Sequence, residues 1–432
     1  MPVLRASDKD FRQRLRSFVG NGEAAPEIKN AVASIIADIR ERGDVGVLYQ
    51  TARFDHAKLN IRQLRVPAAQ IAKAAENLPA AKRQAFEEAA KCIESFHRKT
   101  LPKNWTAKNP HGATVGERYH AINRCGLYIP GGQVPLVSTV LMTALPAKVA
   151  GVPHLCACTP PQPDGKINPD ILAAFHLCGI SEVYAVGGVQ AVAAMAFGTD
   201  TIPAVDKIFG PGNAYVTEAK RQLFGIVGVD LLPGPSEVMI IADRTAKADW
   251  VAADLCAQAE HGSGKEKLYL VVDDSTMADK CLTIAKHQAT NLTHGEKIRK
   301  VFDQNLCVVI VKEIQEAATV ANLVAPEHLE LMVAPGKINA LSAAITTAGA
   351  LLIGQETPTV LGDFTAGPSH TLPTGGTGRF FSGLRVPDFL RRTSLVRYDQ
   401  ASLKKAAKVV DAFAQMEKLD AHGRSLKVRL DP

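Results

Sequence analysis

The 432-residue chain lacks the features that mark several protein classes. No stretch reaches the roughly 20 apolar residues needed to span a bilayer. The nearest, Leu136 to Val152, is broken by Pro146 and Lys148. Met1 to Arg16 is charged and has no apolar segment, which predicts no secretory signal. None of the eight cysteines stands in a Cys-x-x-Cys pair. Most lie in apolar runs, where a free thiol behaves as a small hydrophobe. A reduced, cytoplasmic setting is therefore expected. Aromatic residues make up only 6%, and the net charge of +7 is scattered. The densest basic clusters, Arg12–Arg16 and Arg391–Arg392, have few aromatics beside them, unlike a nucleic-acid surface. The standard nucleotide signatures are also missing. Gly264-Lys265 is followed by Glu266, and the Gly210-Pro-Gly212 run has Tyr215 where a third glycine would stand.

What is present is ordinary globular material, 46% apolar and 22% charged. The length suits two large domains with appendages, at about 150 residues per domain. Pro26 to Arg42 predicts a helix, with proline at its start, Gly43 after its end and Ile28, Val32, Ile35, Ile36 and Ile39 on one face. Pro79 to Lys99 repeats the pattern. From Thr114 onward, apolar strand candidates alternate with helical windows. The strands are His154–Thr159, Glu182–Val186, Glu237–Ala242, Lys267–Val272, Leu306–Val311 and Ala350–Ile353. Such alternation predicts βαβ units and mostly parallel sheets covered by helices. It continues for about 240 residues, which favours two doubly wound domains over one. From Asp388 the chain reads as helix and charge.

Gly and Pro cluster near predicted strand ends, at residues 128–132, Gly187-Gly188, Gly210 to Asn213, Pro233 to Glu237 and Gly362 to Gly378. Ligands of open α/β sheets bind beyond the carboxyl ends of strands, and glycine admits close backbone approach. A helix start after Gly187-Gly188 or Gly212 could receive a cofactor phosphate.

Gln258 and His261 end a predicted helix, three residues apart and so on one face. Asp363 lies in the Gly-rich stretch, with His370 seven residues on, and His422 lies in the tail. Such N/O donors suit zinc or manganese. A lone histidine is more often an ordinary polar residue, so spacing alone leaves this open. His154, Cys156 and Cys158 share a strand face but sit in apolar surroundings, where core packing is the better reading. Glu327-His328 follows Pro326 at a predicted strand start. An adjacent acid and imidazole can divide two proton transfers.

Together these segments resemble the histidinol dehydrogenase family, from about Asn30 to the C-terminus. The resemblance is carried by Gly126-Leu-Tyr-Ile-Pro-Gly-Gly132, Ser138–Val152, Gly210–Lys220, Gly234-Pro-Ser-Glu237, Gln258–His261, Ala325-Pro-Glu-His-Leu-Glu330 and Gly362–Thr374. Three positions depart from the family's usual pattern: Leu136-Val137, Pro233 and Gly262.

The resemblance implies NAD-dependent, four-electron oxidation of L-histidinol to L-histidine through an aldehyde, the last step of histidine biosynthesis. It implies one zinc per subunit, held by Gln258, His261, Asp363 and His422. Glu327 and His328 become the catalytic pair. Substrate contacts become Ser236, Gln258, His261, His328, Asp363, Glu417 and His422, and NAD contacts Tyr128, Gln190 and Asn213. It also implies a homodimer with shared sites, Glu417 and His422 coming from the partner. The expected fold is α/β, two Rossmann-like doubly wound domains. Residues 1–25 form an N-terminal helical segment. Residues 26–125 plus 238–384 form a first domain carrying the zinc and the catalytic pair. Residues 126–237 form an NAD-binding domain, and 385–432 a helical tail reaching the partner. A related zinc, NAD-dependent dehydrogenase for another small polar alcohol would share this ligand set, whereas a non-catalytic scaffold would need none of it.

Overall fold

The computed structural model describes residues 1–20, 24–131, 135–261 and 264–430. Gly132 and Gly262 lie outside the described residues. The fold is α/β, with two parallel sheets and a small antiparallel one.

The larger parallel sheet has six strands. Their spatial order is Val3–Arg5, Leu306–Ile310, Lys267–Val272, Glu237–Ala242, His328–Met332, Ala350–Ile353. The second has five, in the order Glu182–Ala185, His154–Thr159, Arg124–Tyr128, Lys207–Phe209, Gly228–Val229. In each, chain order runs outward in both directions from one interior strand, Glu237–Ala242 in the larger sheet and Arg124–Tyr128 in the smaller, the doubly wound pattern. For the six-stranded sheet this switch point lies between Glu237–Ala242 and His328–Met332.

Both faces of each sheet are buried, which explains their nearly unbroken apolar strands. In the six-stranded sheet Val238, Ile240, Leu268 and Leu270 pack under the helices Ala248–Ala259, Ser275–Ala289 and Gly295–Asn305. The alternate residues Met239, Ile241, Tyr269 and Val271 pack against Phe11–Val19 and Ala317–Val324. In the five-stranded sheet Leu127, Ala157 and Val183 face Val137–Ala150 and Pro169–Leu177. Tyr128, Cys156, Cys158 and Tyr184 face Gly188–Phe197. Cys156 and Cys158 are thus core residues, whereas His154 is exposed.

Three placements differ from the expected division. Val3–Arg5 is not helical; it pairs in parallel with Leu306–Ile310 at the sheet edge. The helices of residues 26–99 pack on the five-stranded sheet, not the six-stranded one. Val32, Ile35, Ile39 and Val47 share a core with Tyr184 and Ile208, while Val66, Ile71 and Ile93 share one with Leu127 and Ala157. An amphipathic pattern shows that a face must be covered, but not by which sheet. Third, the tail opens with a strand, Leu390–Arg397, antiparallel to Thr114–Ala121, which also pairs with Trp105–Lys108. Its side chains are mostly exposed and include three arginines, so no apolar alternation announced it. Beyond it, the helices Gln400–Met416 and Asp420–Leu430 pack on each other.

Candidate functional site

The glycine-rich turns sit at opposite kinds of strand end. In the five-stranded sheet Tyr128, Gly187 and Gly210 follow carboxyl ends, as expected. In the six-stranded sheet Glu237 and His328 are the first residues of their strands, so this site lies at amino ends. Pro233 to Ser236 therefore leads into a strand rather than out of one. The two regions meet where His370 approaches Thr139 Oγ1 of the Val137–Ala150 helix at 3.3 Å and Ser369 Oγ donates to Met142 O at 3.1 Å.

Glu327 and His328 are both held by the backbone of Glu237, one by its N–H and the other by its carbonyl. The Glu237 N–H donates to Glu327 Oε2 at 2.8 Å, and the Glu237 carbonyl lies 3.3 Å from His328 Nδ1. A carbonyl only accepts, so the ring carries a proton on Nδ1, which leaves Nε2 as the nitrogen that gains or loses the second one. Glu327 Oε2 lies 3.8 Å from Nδ1, while Asp363 Oδ1 lies 3.5 Å from Nε2. Burial pushes the Glu327 carboxyl up to about 8, against the pull of His328. Burial alone would lower His328, but Glu327 and Asp363 outweigh it and raise the imidazole to about 9. Burial would also raise Asp363; its bond to His328 and the imidazoles of His370 and His261 hold it below the usual value.

Gln258 occupies the last turn of the Ala248–Ala259 helix, and its Nε2 lies 3.4 Å from His261 Nδ1. Among the described residues, that orientation leaves the amide oxygen and His261 Nε2 without a partner. Asp363 belongs to a short helix, Thr359–Phe364, not a loop. His370 is used structurally, its Nδ1 lying 3.2 Å from Asp363 O. Gln258, His261 and Asp363 thus gather about His328, while Ser236 adjoins Glu237. Glu417 and His422 do not join them: they lie at the end of one tail helix and within the other. Among the described residues no three His, Cys, Asp or Glu side chains form a metal site within the chain. An amide oxygen, an imidazole and a carboxylate nonetheless fit a borderline ion such as zinc, with a position left for one more donor.

The Tyr128, Gln190 and Asn213 group lies across the carboxyl ends of the five-stranded sheet. Tyr128 Oη accepts the Gly188 N–H at 3.2 Å. Asn213 caps the Ala214–Leu223 helix, accepting from Tyr215 N and Val216 N at 3.0 and 3.1 Å. The turn before it is clamped. Gly210 N donates to Asp230 Oδ2 at 2.7 Å, and Lys220 Nζ donates to Gly210 O at 2.6 Å and pairs with Asp230. Only glycine fits there, since its φ is +115° and a Cβ would lie 2.1 Å from Tyr128 O.

Sequence reasoning gave no role to Glu237, Asp55 or the pair Asp254–Glu330. Glu237 opens one wholly buried apolar strand, Glu-Val-Met-Ile-Ile-Ala, and Glu330 interrupts another, His-Leu-Glu-Leu-Met, and a buried carboxylate in such a strand is itself a signal. Burial pushes Glu237 up to about 7. Asp254, one turn before Gln258, is pushed up to about 8 by burial and by facing Glu330.

A family model described as histidinol dehydrogenase matches residues 20–430. The histidinol dehydrogenase of Gluconobacter oxydans is 44% identical over 433 residues, covering all of both chains. That of Ruegeria pomeroyi is 42% identical over 430 residues, 99% of this chain and 98% of its own. The crystal structure of histidinol dehydrogenase from Elizabethkingia anophelis superposes with a TM-score of 0.94 at 34% identity, covering 100% of this chain and 98% of the other.

Proposed function

This chain belongs to the histidinol dehydrogenase family and is therefore an oxidoreductase, and we propose that it oxidises L-histidinol to L-histidine through L-histidinaldehyde with NAD, closing histidine biosynthesis. The observation that carries the reading is the gathering of Gln258, His261 and Asp363 about the buried Glu327–His328 pair.

NAD, when bound, takes two electrons as hydride in each of two oxidations. His328 Nε2 takes the alcohol proton in the first, acting from the neutral ring, the form that prevails above about pH 9. Glu327, ionised above about pH 8, then takes a proton from water as the water oxygen bonds to the aldehyde carbon, while His328 returns its proton to the former carbonyl oxygen, giving a hydrate and freeing the imidazole. His328 takes the hydrate's proton in the second oxidation. Each transfer suits a group held within a nearly dry pocket. The pair is positioned by Glu237, whose backbone N–H and carbonyl meet Glu327 and His328 without moving a proton.

Zinc, when held by Gln258, His261, Asp363 and a partner subunit's copy of His422, supplies a positive template for the substrate's nitrogen groups. Glu417 of a partner would accept from the substrate imidazole, since a buried polar ring needs an acceptor. Two features support a homodimer. The ligand set is incomplete within one chain, and the tail helices expose Val409, Phe413, Met416, Leu419 and Val428. Tyr128, Gln190 and Asn213 would meet NAD. The eight cysteines are all free, as a reduced cytoplasm would keep them, and among the described residues no helix is long and apolar enough to cross a membrane.

The test is product counting: purified, zinc-loaded protein should form NADH from L-histidinol and release L-histidine. NADH formation with another alcohol only would refute the substrate assignment.

A further inference from the structure

Asp55 closes the Asp44–Phe54 helix and reaches across to the start of Gly188–Phe197. Its carboxylate accepts the Gly187 N–H and, at 3.1 Å, Gln190 Nε2. The approach depends on glycine, because a Cβ on Gly187 would lie 2.9 Å from Asp55 Oδ1 and 2.6 Å from Pro160 Cβ.

A helix start is normally where a dinucleotide's phosphates rest. Here the foremost amides are already taken. Gly187 donates to Asp55, Gly188 donates to Tyr128 Oη, and the next helix spends Tyr215 and Val216 N–H on Asn213. An anion arriving at Gly187 would meet a carboxylate. Burial pushes the Asp55 carboxyl up to about 6, so it is largely ionised at neutral pH. Gln190 is almost wholly buried, at 1% exposed. With Nε2 committed to Asp55, its Oε1 has no partner among the described residues. The corner thus presents a carboxylate and an amide carbonyl, both acceptors. Acceptors suit sugar hydroxyls and repel an added phosphate.

We infer that Asp55 selects an unphosphorylated dinucleotide, by its charge and by holding Gln190 with the carbonyl end free. The inference rests on Tyr128, Gln190 and Asn213 being the dinucleotide contacts. Asp55 is then a specificity-determining and positioning residue rather than a catalytic one.

The experiment titrates full-length, zinc-loaded protein with NADH and with NADPH, following nucleotide fluorescence. Wild type should bind NADH at least ten-fold more tightly. Asp55→Asn should narrow that ratio at least ten-fold, chiefly by gaining NADPH affinity, with the KM for L-histidinol unchanged. A ratio unmoved within two-fold, in a variant with native circular dichroism, would reduce Asp55 to a helix cap and overturn the inference. Should Asp55→Asn not fold, Asp55→Ser, which can still accept the Gly187 N–H, is judged by the same ratio. Wild type binding NADPH as tightly as NADH overturns it without any variant. Gln190→Ala leaving NADH affinity unchanged would instead refute the assignment of the dinucleotide site.

Discussion

Glu330 holds Thr359 by both of its donors: Oε1 accepts the Thr359 N–H at 2.8 Å and the Thr359 hydroxyl at 2.6 Å. Glu330 lies two residues beyond His328 on one strand, and Thr359 starts the helix that carries Asp363. Asp254, facing Glu330, lies one turn before Gln258. One buried cluster therefore ties together the elements bearing the imidazole base, the carboxylate and the amide.

Replacing Glu330 by Ala leaves the Thr359 donors unpaired and buried, at about 1–3 kcal/mol each. The expected result is a lower unfolding midpoint together with faster loss of zinc to a chelator. Glu330→Gln keeps an acceptor for Thr359 and should lose less of both. Equal effects in the two variants would refute the tie.

Asp254 sets a pH dependence of stability. Its folded pKa is raised to about 8 by burial and Glu330, above its ordinary value of 3.8. The folded state therefore holds the proton more tightly, and this stabilisation is full below about pH 4 and lost as pH rises through 8. Asp254→Asn removes the titration, so urea midpoints should fall less between pH 5.5 and pH 8 than in wild type. Parallel lines for the two proteins would contradict it.

Much of the fold was legible because both sheets are buried on each face. Strands such as His154–Thr159, Glu237–Ala242 and Lys267–Val272 announce themselves as apolar runs and occur at the expected residues. The Pro26–Arg42 helix likewise shows its bounds through proline and glycine. Less legible were contacts made at long range. Nothing in residues 26–99 says which sheet they cover, and Val3–Arg5 is too short for a pattern to register. The Leu390–Arg397 strand is exposed and charged, so its pairing with Thr114–Ala121 left no hydrophobic trace. At the site, Glu327-His328 and Gln258–His261 stood out as local pairs. The grip of Glu237 on both members of the catalytic pair depends on backbone groups of a neighbouring strand, which sequence spacing does not express.

Removal of the base should separate chemistry from metal binding. His328→Ala is expected to lower kcat about 10²–10⁴-fold while zinc content stays at the wild-type level. Metal analysis and steady-state rates check this together. A variant that loses zinc in parallel with activity would make His328 a structural group instead.

Sharing of the site between subunits predicts complementation. His328→Ala and His422→Ala subunits, each inactive alone, should regain part of the activity when mixed into heterodimers, because one of the two sites then has both wild-type groups. Verified heterodimers without any recovered activity would contradict a tail that crosses to the partner.

The central claim is that a single site carries out both oxidations, with Glu327 and His328 moving the protons. It is tested most directly by counting NADH formed per L-histidinol consumed by the zinc-loaded protein, with a chelator-treated control. Two NADH per substrate, abolished by the chelator, is the predicted result. One NADH with aldehyde released, or a yield indifferent to chelation, would contradict the account.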